Sequence, residues 1–305
     1  MTAIISASGL TKHFRKTEAL NSLNLDVAEG SIFGLIGPNG AGKTTTLKTL
    51  MNIYRPDSGH ADVIGVDSRR LGPEEFAKIG YVSENQEMPE WMTVDYFLSY
   101  LKSFYPTWDD TLAAAMIRQF ELPLNRQLKH LSRGMKMKAS LVSSLAYRPK
   151  LLVLDEPFSG LDPMVREDLS EALIDNAGET SILVSSHDLG DIESFASHIG
   201  YIEDGKLRFA EEMASLTSRF REVEVTIESR ANIQRETKSS VWPSTWLRPD
   251  ATSAVVRFVE SQFDPERTPL EIRRIFGNPV QISVNPMPLR SIFVTLARSG
   301  AVTPA

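Results

Sequence analysis

The chain contains no cysteine, which excludes disulfides, thiolate metal sites and cysteine nucleophiles but says little about compartment. Basic charge is not in excess either: 33 Lys and Arg stand against 39 Asp and Glu, a formal net charge of −6. That balance argues against an extended surface for a phosphate backbone, so nucleic acid is not an expected partner. No apolar run approaches the roughly 18 to 20 residues that cross a bilayer; the best, Leu151 to Leu154, reads as a short buried strand. By itself such a chain cannot carry anything through a membrane. The opening MTAIISASGLTKHF has neither a basic n-region nor a continuous apolar core, so no secretory signal is expected and the cytosol is the default location. Internal repeats and low-complexity tracts are also missing.

What is present is ordinary globular composition, 42% hydrophobic and 24% charged over 305 residues, enough for one large and one smaller domain. Ile4, Ile5, Ala7 and Leu10, then Leu23, Leu25 and Val27, follow the period of a strand and lead to a Glu29-Gly30 turn. Ser31 to Ile36 is a continuous apolar run ending in glycine, and Thr44 to Leu50 behind it is helix-compatible. From Met88 to Arg148 the spacing becomes helical, through Val94, Phe97, Leu98 and Leu101, then Leu112, Met116 and Phe120, then Leu141, Leu145 and Ala146. Buried strands resume at Leu151 to Leu154, Ile182 to Ser185 and Ile199 to Ile202, the last turning at Asp204-Gly205 into Lys206 to Phe209. Strands alternating with helices predict a largely parallel α/β sheet. Beyond about residue 215, alternation at Val223, Val225 and Ile227, at Ala254, Val256 and Phe258, and at Val280, Ile282 and Val284 predicts a small α+β appendage. A last helix is expected to be capped by Asn285 with Pro286 in its first turn.

The segment Gly37-Pro38-Asn39-Gly40-Ala41-Gly42-Lys43-Thr44 fits G-x-x-x-x-G-K-[ST] and lies between a predicted buried strand and a helix. Glycines let successive N–H groups converge on one concavity, and the helix N-terminus adds partial positive charge there. Lys43 then meets the β and γ phosphates, the Thr44 hydroxyl a Mg²⁺ ion, and Thr45 completes the nucleotide contacts. In Leu151 to Pro157, four apolar residues run straight into Asp155 and Glu156. The carboxyl ends of parallel strands face the ligand crevice, so both acids are expected beside the phosphates. Asp155 suits Mg²⁺, and Glu156 suits polarising the attacking water.

These features define a Mg²⁺-dependent P-loop nucleotidase, and the order of further segments resembles the ATP-binding cassette (ABC) ATPases over roughly residues 3 to 210. Leu131-Ser132-Arg133-Gly134-Met135 resembles the signature LSGGQ, with Arg133 and Met135 replacing a glycine and the glutamine. Ser159 to Asp162 resembles the D-loop, Ser185 to Asp188 the switch-histidine segment, and Phe14 the aromatic that stacks on adenine. Gly80 to Glu84 resembles the start of the Q-loop; the family glutamine falls on Glu84, with Asn85 and Gln86 next, so the group sensing Mg²⁺ or water is that carboxylate or comes from a shifted register.

The resemblance implies an α/β P-loop core with an N-terminal antiparallel β subdomain over residues 1–215, a helical insertion at about 87–150, and an accessory domain over 216–305. It implies ATP hydrolysis by Lys43, Glu84, Glu156 and His187, with Ser132, Gly134 and Asp162 reaching an ATP bound by a second subunit, in a homodimer or heterodimer. Separate membrane permease subunits, a site at the cytoplasmic face of the membrane, and an exporter of drug, peptide or lipid-like substrates complete that expectation. The other readings are a soluble ABC ATPase acting on ribosome or DNA and a P-loop small-molecule kinase; neither coiled coils, a second cassette nor a basic patch speaks for the former. Met88, Trp91 and Met92, clustered around Pro89, are expected to form a surface loop that receives a helix of the membrane subunit.

Overall fold

The computed structural model describes residues 2–227, 242–252 and 254–299, and divides into two compact units, Met1–Ala210 and Glu211–Ala305. In the first unit, β1 (Ala3–Phe14) and β2 (Thr17–Ala28) form a long antiparallel hairpin, interrupted by register shifts, that buries alternate side chains over Ile5–Ala7 and Leu23–Val27. With β4 (Ser58–Val63) and β5 (Val66–Asp67) they make a four-stranded sheet ordered β2-β1-β4-β5. Its inner face, including Ile5, Leu10, Leu23, Leu25 and Val63, joins one core with Leu35, Leu47, Leu50 and Val153.

The second layer is a six-stranded sheet ordered β10-β9-β3-β8-β7-β6. It comprises β3 (Ile32–Ile36), β6 (Ile79–Ser83), β7 (Leu151–Asp155), β8 (Ser181–Ser186), β9 (His198–Glu203) and β10 (Lys206–Glu212). β9, β3, β8, β7 and β6 run parallel; β3, β7 and β8 are buried at every position, as strands covered on both faces must be. The turn from β9 to β10 uses positive φ at both Asp204 and Gly205, the backbone that tight hairpins favour. Helices α1 (Lys43–Leu50), α2 (Pro73–Phe76) and α6 (Pro163–Asp175) belong to this part.

Between β6 and β7 lies the helical insertion, with α3 (Val94–Lys102), α4 (Asp110–Gln119) and α5 (Arg133–Leu145). Each starts with a polar cap accepting from a backbone N–H: Thr93 from Tyr96, Asp109 from Leu112, Ser132 from Met135, a contribution of about 1 kcal/mol apiece. The loop before α3 departs from the sequence expectation. Trp91 is 63% exposed whereas Met92 is only 6% exposed. Met92 turns inward because its backbone N–H bonds to Pro89 and its carbonyl accepts from Leu128, which fixes the loop across the insertion.

The second unit contains α7 (Met213–Arg219) and a sheet ordered β12-β13-β11-β14. Its strands are β11 (Arg221–Thr226), β12 (Trp246–Ala251), β13 (Val255–Glu260) and β14 (Gln281–Pro286), all antiparallel. Val223, Val225, Val256 and Phe258 pack with Trp246 and with Ile272 and Phe276 of α8 (Arg267–Phe276). The last helix, α9, is Leu289–Ser299 rather than a helix begun at Asn285. Asn285 and Pro286 are instead the end of β14, paired with Glu222 and Arg221, and β-pairing has overridden the local cap signal.

Candidate nucleotide-binding and hydrolysis site

Residues 37–42 connect the end of β3 to α1 in a tight loop. Gly40 and Gly42 have φ of 83° and 109°, a region that glycine enters without a Cβ penalty. Gly37 is required for space as well: a Cβ there would lie 2.2 Å from the Ile202 carbonyl oxygen. Ala41 is buried, while Pro38, Asn39 and Gly40 line the open side. Lys43, 5% exposed, donates from Nζ to the carbonyl oxygens of Gly37 at 2.7 Å and Pro38 at 3.2 Å. Its Nζ also lies 3.1 Å from Glu156 Oε1. The loop thus folds around the ammonium group that would meet a phosphate.

The carboxyl ends of β6, β7 and β8 bring the other groups to the same place. Thr44 Oγ1 donates to Asp155 Oδ1 at 2.9 Å, and Ser185 Oγ donates to that same oxygen at 3.0 Å. Ser185 also accepts from the Glu156 N–H at 3.0 Å. One buried hydroxyl therefore fixes both acids. Burial pushes the Asp155 carboxyl above its ordinary pKa, and the hydrogen bonds from Thr44 and Ser185 oppose that rise. Glu156 holds a left-handed backbone, φ 53°, uncommon for a side chain that has a Cβ and costly without support. Its Oε2 lies 2.8 Å from His187 Nδ1. Lys43, Thr44, Asp155, Glu156 and His187 form one contiguous cluster.

Behind His187, Ser186 Oγ donates to Asp191 at 2.6 Å and accepts from the Asp188 N–H at 3.0 Å. Arg166 of α6 closes this network with a 2.5 Å bond to Asp191. The segment carrying His187 is thereby clipped to the helix that begins just after Asp162. Sequence reasoning named Ser185 only as the start of the switch-histidine segment and passed over Asp191 and Arg166; the spacing of the three in the chain gives no sign of their meeting, and only the strand order does.

Of the remaining expected residues, Glu84 adjoins the cluster through its backbone, and the others make no bond to it. Asp162 caps α6 by accepting from the Val165 N–H at 3.1 Å, and Ser132 caps α5. Gly134 is buried with its Cα against Val165, where a Cβ would sit 3.1 Å from both methyl carbons. No hydrogen bond of Ser132, Gly134 or Asp162 reaches the Lys43 cluster. Glu84 donates its backbone N–H to the Asp155 carbonyl at 3.0 Å, but its carboxylate is bound by Arg133. Thr45 is half-buried and its carbonyl accepts from Thr49. Phe14, 40% exposed, meets Tyr54 edge-on with ring centres 5.1 Å apart.

The donor set fits Mg²⁺, a hard octahedral ion that keeps several waters and uses few protein oxygens. Thr44 Oγ1 and Asp155 would supply them; among the described residues no cluster of three His, Cys, Asp or Glu forms a full cage, so the phosphates would complete the shell.

Residues 20–159 match the family model described as ABC transporter. The chain is 32% identical over 232 residues to the ABC transporter ATP-binding protein YtrB of Bacillus subtilis, covering 75% of this chain and 79% of that one. It is 30% identical over 215 residues to the bacitracin transport ATP-binding protein BcrA of Bacillus licheniformis, covering 68% and 69%. A solved structure, the dimeric MJ0796, a bacterial ABC transporter cassette, superposes with a TM-score of 0.60 at 23% identity over 68% of this chain and 98% of that one. The chain belongs to the family of ABC transporter ATP-binding proteins, and it is an ATPase of that family.

Proposed function

We propose that the chain is the motor subunit of an exporter of drug, peptide or lipid-like substrates, working as a nucleotide-sandwich dimer on separate membrane subunits at the cytoplasmic face. The observation that carries the reading is the division of the site. Phosphate, metal and base functions converge at the ends of adjacent strands, whereas Ser132, Gly134 and Asp162 sit at two helix starts with no bond to them. Helix starts favour anions, and the two halves become one site when a second subunit supplies its signature.

In the reaction, Lys43 cancels phosphate charge while the 37–42 loop orients the tail of the nucleotide. Mg²⁺ held by Thr44 and Asp155 would supply further charge neutralisation at the phosphates. Glu156 orients the attacking water and accepts its proton. His187, whose Nδ1 donates to Glu156 Oε2, keeps that carboxylate aimed, and its second ring nitrogen would donate toward the γ-phosphate only from the doubly protonated ring.

The exporter reading draws support from the likeness to a bacitracin transport protein and from the second unit, whose described strands make one open four-stranded sheet rather than a barrel. Docking to a membrane subunit is supported by exposed rings on the helical insertion: Trp91 packs on Tyr96 at 5.7 Å and Tyr100 on Phe104 at 5.1 Å, all at least 46% exposed. Such a stripe is costly on a free surface. The test is co-purification from detergent-solubilised membranes: the wild-type chain should retain an integral membrane partner, and Trp91→Glu with Tyr96→Glu should lose it while ATP hydrolysis continues. Recovery of only soluble ribosomal or DNA-bound complexes would overturn the proposal.

A further inference from the structure

Glu84 puts a third carboxylate into a site that must accept a polyanion. It follows β6 directly, Ser83 is paired with Asp155, and the Glu84 N–H bonds to the Asp155 carbonyl, so Glu84, Asp155 and Glu156 occupy two adjacent strand ends. Lys43 is paired with Glu156, and Asp155 is satisfied by the hydroxyls of Thr44 and Ser185. The cation that meets Glu84 comes from elsewhere: Arg133, the first residue of α5, binds Glu84 Oε1 through Nη2.

A third loop makes room for this pair. Gly160, between β7 and α6, has φ 65°, and a Cβ built on it would lie 2.9 Å from Arg133 Nη1 and 3.3 Å from Cζ. The guanidinium therefore rests against the bare backbone of Gly160 while it reaches Glu84. Three segments, after β6, at the start of α5 and after β7, meet at one arginine. Both partners are partly exposed, 47% and 27%, so the ion pair adds little to folding stability. Its effect is on charge and placement at the site.

We propose that Arg133 is a positioning residue whose work is to neutralise Glu84 and hold its carboxylate away from the incoming phosphates. The inference rests on the nucleotide-site reading above. It makes the two residues one functional unit: an acid beside the phosphates is tolerated because its counter-ion arrives on the signature helix, and the Gly160 backbone leaves the space for it. A change at either position alone disturbs the site, and a change at both restores it.

The experiment is a titration of a fluorescent ATP analogue, with and without Mg²⁺, on the full-length wild type, Glu84→Gln, Arg133→Gln and the double variant. Arg133→Gln should weaken affinity by on the order of tenfold, the effect of one uncompensated charge near the bound phosphates in partly solvated protein. Glu84→Gln should tighten it, because the cation is then left unopposed. The double variant should return to within about twofold of wild type, and the loss in Arg133→Gln should shrink as salt is raised from 0.05 to 1 M (expected from a Debye length falling to about 3 Å). A purely structural role for Arg133 predicts instead that the double variant stays as weak as Arg133→Gln; that result, or an affinity in Glu84→Gln no tighter than wild type, refutes the proposal. Lys43→Ala, titrated alongside, loses binding; normal binding in that variant refutes the site reading itself, while the coupling between positions 84 and 133 still stands or falls on the double variant.

Discussion

Ser185→Ala removes a single oxygen that holds both acids of the site. Ser185 is fully buried; its hydroxyl donates to Asp155 Oδ1 and accepts from the Glu156 N–H, each at 3.0 Å. Without it the Glu156 N–H loses its partner, a cost of at least about 1 kcal/mol, and a hydrogen bond to a buried carboxylate disappears, about 1.5 to 2 kcal/mol more. With the hole left dry, the sum is about 3 kcal/mol. For a unit of some 200 residues that lowers the melting temperature by about 6 to 12 °C. Catalysis should suffer separately. Glu156 keeps its left-handed backbone only while its N–H is anchored, and release lets the base drift from its position against His187. Differential scanning fluorimetry measures the first effect and phosphate release at saturating ATP the second. A variant melting within 1 °C of wild type (against the shift worked out above) and turning over at an unchanged rate would refute the role given to this hydroxyl.

Other substitutions separate binding from chemistry. Lys43→Ala should abolish tight nucleotide binding, because the phosphates lose the buried ammonium at the centre of the loop; equilibrium dialysis with labelled ATP checks it. Glu156→Gln should keep binding but lower turnover by about 10²- to 10⁴-fold, the usual worth of a general base, and light scattering should show an ATP-dependent dimer accumulating. Ser132→Arg should leave binding to the single subunit intact and depress hydrolysis at high protein concentration, where paired subunits form; a loss of binding would place Ser132 in its own subunit's site.

Much of the Lys43, Asp155 and Glu156 cluster was legible in the sequence because its signals are local. The 37–44 loop needs glycines at φ values that few other residues adopt, and an apolar strand ending in two acids can be read without knowing its neighbours. The pairing of Thr44 with Asp155, 111 residues away, was implied only through the order of strands. Ser185 as a bridge, and the Arg166–Asp191 clip behind His187, were not legible at all, since each depends on which strand lies beside which. In the second unit, β12 escaped notice because it contains Pro249, a left-handed Arg248 and a register shift between Leu247 and Asp250, which destroy period-two alternation. α8 was hidden by Pro269 in its first turn, a position where the missing N–H does no harm. Met92 misled for the opposite reason: composition marked a sticky loop, but burial is decided residue by residue, and only Trp91 faces out.

The strand order also governs how the molecule can be made. β3 ends in the phosphate loop, yet its neighbours in the sheet are β8 and β9, and Ile32 is paired with Ile182, 150 positions further along (182 − 32). While the chain is being synthesised, an apolar strand with both edges unpaired must wait until most of the first unit has been translated, and such waiting strands are templates for aggregation. Non-local parallel pairing of this kind is slow to form. The helical insertion, built from contacts close in sequence, can order itself first and hold the growing chain compact in the meantime. Refolding from denaturant should therefore show helix appearing before nucleotide affinity, and a release of chains stopped short of residue 186 should yield protein that depends on a chaperone to stay in solution.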